Sequence, residues 1–223
     1  DIVDTIALYR PGPMENIPMY LSLREHPEQV TYLHPKLKEI TESTHGILVY
    51  QEQIMQVAQI MAGFTLGKAD ILRKAMGKKN AKELDSLRDD FIAGCINNGH
   101  SEKLAVELFD LVQKFANYGF NKSHSVAYGL IAYQLAYLKA NYSHMFYTYL
   151  LTSVLGSDVK TRQYIDECRR RNVLLMSPNL ELSQAIYTLE GVKIRLPFTL
   201  IKGITTATST MIVSEREKNG SYV

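Results

Sequence analysis

Two short basic strings hold most of the binding chemistry that this sequence can offer. The first is Arg73-Lys74-Ala75-Met76-Gly77-Lys78-Lys79. Between Lys68 and Lys82 six basic residues stand against one acid, Asp70. The cluster has two readings. Cations suit the negative end of a helix dipole, with Gly77 as an ordinary left-handed stop. Alternatively, an arginine fork with lysines around it grips a polyphosphate. The second string is Asn121-Lys122-Ser123-His124-Ser125, where a long apolar pattern begins. Asparagine and serine satisfy the free N–H groups of a helix start. Lys122 does not fit that account, because a cation at a helix N-terminus has the wrong sign. An anion docked there would remove the conflict. His124 on its own reads as a packed or solvated histidine.

Catalytic machinery is not visible beside these strings. There is no Gly-x-Gly-x-x-Gly, no Walker loop, no Cys-x-x-Cys and no His-Glu-x-x-His. Ser123 and His124 are sequence neighbours without a Gly-x-Ser-x-Gly elbow, so a small hydrolase built on them has no other support. Asp89-Asp90 sits on a polar helix and reads as a solvated face. No residue is therefore assigned a catalytic or metal-ligating role. The chain has 223 residues, 46% of them hydrophobic and 22% charged, with a net charge of +2. That excludes a disordered, collagen-like or disulfide-scaffold chain. It also leaves any nucleic-acid contact to local clusters of charge. Cys95 and Cys168 fit reduced thiols in a cytoplasmic protein. No apolar run reaches the ~18 residues of a membrane span, and no signal peptide is seen. The chain opens on Asp1 and stops at Val223 just after a helix-like pattern, which reads as a piece of a longer protein.

The elements that must position these residues are mostly helical. Five of the seven prolines fall in residues 1–46, which limits that stretch to short helices. Gly46-Ile47-Leu48-Val49-Tyr50 is β-prone and predicts a lone strand. From Gln51 the period is helical, with Ile54, Val57, Ala58 and Met61 on one face. Further helices are predicted over about 66–76, capped by Thr65 and stopped by Gly77, then over about 80–98 and 102–116. Tyr118-Gly119-Phe120 is a connector. Ser123 or Ser125 then starts a helix to about Tyr142, apolar on most sides and so expected in the core of a helical domain. Helices over about 144–154 and 158–171 follow. The composition changes after Asn172. A β-hairpin is predicted around Glu190-Gly191, and Leu200-Ile201-Lys202-Gly203-Ile204-Thr205 leads into a last helix over about 205–218. That string has the look of a helix-hairpin-helix start, with Thr205 where a second glycine is usual. A non-glycine residue there can lose a φ > 0 geometry. The reading is mainly α: a helical domain over 1–172, then a hairpin and helix-hairpin-helix start over 173–223.

Four strings together resemble the DnaE-type C-family of bacterial replicative DNA polymerase alpha subunits. They are Ala7-Leu8-Tyr9-Arg10-Pro11-Gly12-Pro13-Met14, Gly46-Ile47-Leu48-Val49-Tyr50-Gln51-Glu52-Gln53, Leu72 to Lys79, and Tyr118 to Ser125. The resemblance implies the fingers of such an enzyme, followed by the beginning of its helix-hairpin-helix segment. It implies that Arg73 and Lys74, with Lys78 and Lys79, meet the incoming deoxynucleoside triphosphate. Asn121, Lys122, Ser123 and His124 would join them, with Ser123 and His124 near the nucleotide sugar. Arg10, Gln51, Gln53 and Tyr128 would support the site, and Lys202, Gly203 and Thr205 would meet DNA. The implied partners are primer–template DNA, deoxynucleotides, the rest of the subunit, and a sliding clamp and replisome through other regions. Mg²⁺ would be held by palm aspartates outside this chain. A stand-alone helical nucleic-acid-binding module remains the alternative, since basic clusters alone would suffice for it.

Overall fold

The computed structural model describes residues 1–78, 81–116 and 118–222. It is mainly helical, with a small three-stranded sheet. By compactness the chain divides into residues 1–132 and 133–223.

In the first unit the prolines do what their chemistry dictates. Three short helices, α1 (Ile2–Leu8), α2 (Ile17–Glu25) and α3 (Pro35–Thr41), alternate with three single 3₁₀ turns, two of which begin at a proline and the third of which follows directly on the end of α3. Proline lacks an N–H and has φ preset, so it opens helices but does not extend them. The centre of the unit is α4 (Gln51–Ala62). Ile54, Val57, Ala58 and Met61 are all buried on the face their spacing predicts. A fully buried side chain of the larger kind contributes about 1.5–3 kcal/mol over an exposed one. Around α4 pack α5 (Leu66–Lys78), α6 (Ala81–Asn97) and α7 (Glu102–Ala116). Leu72, Phe91, Cys95, Leu108 and Val112 close the core between them.

Thr65 caps α5 as expected, its hydroxyl accepting from Lys68 N at 3.2 Å. Gly77 does not stop that helix, which continues to Lys78. Glycine weakens a helix interior by about 1 kcal/mol but does not forbid it. Residues 46–50 form no ladder strand either. Tyr50 makes only an isolated parallel bridge to Phe120. The backbone of this buried stretch is satisfied another way: Val49 N and Tyr50 N both donate to Gln53 Oε1, at 2.8 and 2.9 Å.

The long helix α8 (Lys122–Asn141) crosses the boundary between the units. It starts at Lys122 and is capped by Asn121, whose Oδ1 accepts from His124 N at 2.8 Å. Neither Ser123 nor Ser125 is the cap. Nor is α8 a core helix: only Ser125 and Gly129 are buried on it, and Val126, Leu130, Ile131 and Leu135 are exposed.

The second unit continues with α9 (Ser143–Ser153) and α10 (Asp158–Arg170), around a core of Tyr147, Leu151, Cys168 and Tyr187. Lys139 reaches Glu167 at 2.7 Å and holds its carboxyl below the usual range. The predicted hairpin is present. β2 (Thr188–Glu190) pairs antiparallel with β3 (Lys193–Arg195), which pairs parallel with β1 (Leu175–Met176). Gly191 turns the chain at φ 62°. Arg195, almost buried, donates from Nε to Glu190 at 2.8 Å and from Nη1 to Ser177 O at 2.7 Å, tying the sheet together. The last helix is α11 (Thr206–Asn219).

Candidate nucleotide-binding site

The amino-terminal turn of α4 is where the candidate residues meet. Three consecutive side chains there fasten three different pieces of the chain. Gln51 Oε1 accepts from Arg73 Nη1 on α5, at 3.2 Å. The Glu52 carboxylate accepts from Lys122 N with both oxygens at 3.1 Å, and from Asn121 Nδ2 at 3.1 Å. Gln53, buried, reaches back to the N–H groups before the helix as a capping glutamine does, and donates to Ile40 O and Thr44 Oγ1. A single helix end thus sets α5, the start of α8 and the 46–50 segment against one another.

Each basic string meets an internal carboxylate. Arg73 donates from Nε and Nη2 to Asp70 Oδ1, at 3.0 and 2.8 Å, and Lys74 Nζ sits 2.6 Å from Asp70 Oδ2. These partners, Lys74 first, hold the Asp70 carboxyl below its ordinary range. Arg73 keeps a quarter of its side-chain surface exposed and Lys74 more than half, so both remain open to an outside anion. At the second string the expected docked anion is the protein's own Glu52. The sign conflict at Lys122 is therefore relieved from within the chain.

The remaining expected residues fall around this junction. His124 is exposed, its ring 5.4 Å from that of Phe120 and 4.3 Å from that of Tyr128. Lys122 Nζ lies 5.5 Å from the centre of the Tyr50 ring. Arg10 is a brace. Its Nη2 donates to Tyr118 O at 2.8 Å, its Nε to Ala7 O at 2.9 Å, and its guanidinium lies 4.4 Å over Phe120. Ser123 stands exposed on the first turn of α8, and no hydrogen bond joins it to His124 among the described residues. Lys78 ends α5 and only its backbone is described; Lys79 lies outside the described residues.

Residues that sequence reading passed over complete the frame. Asp4, nearly buried, accepts from Tyr20 Oη at 2.7 Å and from Tyr50 Oη at 2.5 Å. Burial and the Asp4 carboxylate push both phenols above their ordinary range. Ser125 Oγ donates to Val3 O, which fixes the start of α8 to α1. For Glu52 the signal was present as the missing counter-charge to Lys122, but nothing in the sequence names the partner.

Lys202, Gly203 and Thr205 belong to the other unit. Gly203 alone takes positive φ, at 93°. Thr205 has φ −82° and caps α11, its hydroxyl accepting from Thr208 N at 3.2 Å. The geometry expected to demand a second glycine is absent at Thr205, so threonine fits without strain. Among the described residues no group of three or more His, Cys, Asp or Glu side chains gathers to hold a metal. No helix among the described residues is long and apolar enough to cross a membrane.

The bacterial DNA polymerase III alpha-subunit finger domain matches residues 1–99, and a helix-hairpin-helix motif matches residues 172–223. The chain is 47% identical over 222 residues to the DNA polymerase III subunit alpha of Staphylococcus epidermidis strain ATCC 12228. It is 45% identical to that of Staphylococcus aureus strain N315. Both alignments take in all of this chain and 21% of the relative, so the chain spans about a fifth of the curated relatives it matches. The four strings of the resemblance are embedded in a likeness that runs from end to end. Along its whole length this chain is therefore similar to bacterial DNA polymerase III alpha subunits, with a match to their finger domain over residues 1–99 and to a helix-hairpin-helix motif over residues 172–223.

Proposed function

We propose that this chain supplies the fingers of a template-directed DNA polymerase subunit in the cytoplasm, gripping the triphosphate of the incoming deoxynucleotide. The observation that carries the reading is the junction at the start of α4. There Arg73 on α5, with Lys74 beside it on the shared Asp70, and the first turn of α8 are tied to one helix end, within a chain that matches the finger domain over residues 1–99. An arginine and a lysine, each already sharing one carboxylate, can extend further N–H donors to phosphate oxygens. His124 and Tyr128 offer an aromatic surface on the first turns of α8, suited to a sugar or base. Residues 1–172 act as the fingers in this reading. Residues 173–223, with Lys202 and the Gly203 turn, meet the phosphate backbone of primer–template DNA. Metal ions, the sliding clamp and other replisome subunits engage the rest of the subunit.

The test is Arg73→Ala in the full-length subunit. Loss of a forked, charge-assisted contact removes about 1.5–3 kcal/mol, which is roughly ten- to a hundredfold in nucleotide kcat/KM. Pre-steady-state incorporation measures it. A variant with normal nucleotide efficiency but weakened DNA binding would move Arg73 to the template. Tight, steeply salt-dependent duplex binding by the 223-residue chain itself would favour a stand-alone binding module.

A further inference from the structure

We propose that Glu52 is a positioning residue of this site: it docks the first turn of α8 onto α4 and so fixes where Lys122 and His124 stand relative to Arg73. The assignment rests on the nucleotide reading above and goes beyond it, because neither basic string contains Glu52. Its carboxylate occupies a place with unusual electrostatics. Glu52 lies in the first turn of α4, where the helix dipole favours an anion. The same carboxylate accepts from the first backbone N–H of α8 with both oxygens, and from the capping Asn121 side chain. Two positive helix ends thus converge on one half-buried negative group.

This contact joins segments seventy residues apart. Asn121, held through Nδ2 by Glu52, caps α8 through Oδ1 on His124 N. The position of the imidazole therefore depends on Glu52 through one intermediate side chain. On the other side, Gln51 holds Arg73 from the neighbouring position of the same turn. Glu52 also fills the end of α8 that would otherwise attract phosphate. In consequence the triphosphate is directed to Arg73 and Lys74, and Lys122 contributes through its ammonium rather than through the helix end.

The experiment uses the full-length subunit with Glu52→Ala and Glu52→Gln, followed by thermal melting and by incorporation kinetics over a range of deoxynucleotide and ribonucleotide concentrations. In Glu52→Ala we expect nucleotide KM to rise about tenfold, the size of one charge-assisted contact, with a smaller change in kcat. Discrimination against ribonucleotides should fall, because His124 is no longer held. Glu52→Gln keeps the shape and one accepting oxygen but loses the charge, so its KM should rise by about threefold or more. A purely structural role would lower the melting temperature and leave KM and the discrimination ratio alone. Wild-type KM and ratio in both variants overturn the assignment. If the alanine variant does not fold, the same result in Glu52→Gln overturns it. The Arg73→Ala control separates the two ideas: with Arg73 impaired and Glu52 silent, only the role of Glu52 fails. Were Arg73 silent as well, the nucleotide reading would fail with it.

Discussion

His124 shows how far a single side chain can be read. In sequence it is a histidine in a capping region. In the structure it stands exposed between the Phe120 and Tyr128 rings, on a turn held by Asn121 and Glu52. An imidazole flanked by two rings is restrained against rotation and can act as a fixed wall. A merely apolar pocket rejects an added hydroxyl weakly, so excluding a ribose needs such a wall close to C2′. Replacing His124 by alanine should raise ribonucleotide relative to deoxynucleotide incorporation, on the order of tenfold. The quantity measured must be a ratio of efficiencies, since a folding defect lowers both alike. An unchanged ratio would reduce His124 to packing and move the search to Ser123 or Tyr128. The residues on either side show where reading stops. Gln51 and Gln53 could be singled out from their string, but Glu52 between them could not. Its meaning is a contact with Lys122, and sequence separation hides which acid answers which cation.

Helices with a clean stripe were legible from spacing alone. The face of α4 is buried where Ile54, Val57, Ala58 and Met61 predict. Elements defined by a conflict of local and tertiary preferences were not. Residues 46–50 have strand composition, yet the Gln53 side chain takes the N–H groups that a neighbouring strand would have taken. The apolar content of α8 predicts burial, yet Tyr128, Leu130, Ile131 and Tyr133 are exposed. Composition reports that a surface wants cover, not whether this chain supplies it. Packing between helices also gives glycine opposite meanings at two positions. At Gly94 on α6, an added Cβ would run into the backbone carbonyl of Ala62 on α4, with the carbonyl carbon only 3.0 Å away. At Gly67, in the first turn of α5, nothing lies within 4 Å. Alanine gains up to about 1 kcal/mol over glycine in a helix, whereas overpacking against backbone costs about 1–3 kcal/mol. Gly67→Ala should therefore leave the melting temperature unchanged or raised. Gly94→Ala should lower it. Equal effects in the two would mean that α4 and α6 pack less closely than described.

Taken whole, the chain spans about a fifth of the length of its relatives and matches their finger domain over residues 1–99. Its charges are unevenly placed. Cations suited to phosphate are gathered at one junction, while the acids nearest to them, Asp70 and Glu52, are committed to Arg73, Lys74 and the start of α8. Phosphoryl transfer to a primer develops negative charge on the transferring group and needs an activated 3′-hydroxyl. Cations on the fingers can orient and partly neutralise a triphosphate, but they cannot activate that hydroxyl; paired metal ions do both. Among the described residues no three His, Cys, Asp or Glu side chains gather as a metal centre. In the proposed reading the fingers bind the nucleotide, and the metal-assisted chemistry belongs to the rest of the subunit. We expect the purified 223-residue polypeptide to show no primer extension with Mg²⁺ and all four deoxynucleotides, while the full-length subunit extends the same primer. The control is a chain carrying Arg73→Ala, which should give the same background. Extension by the isolated polypeptide that disappears on Arg73→Ala would mean that it assembles a complete active site, and the division proposed between gripping and chemistry would be wrong. Extension indifferent to Arg73 would instead point to a contaminating polymerase.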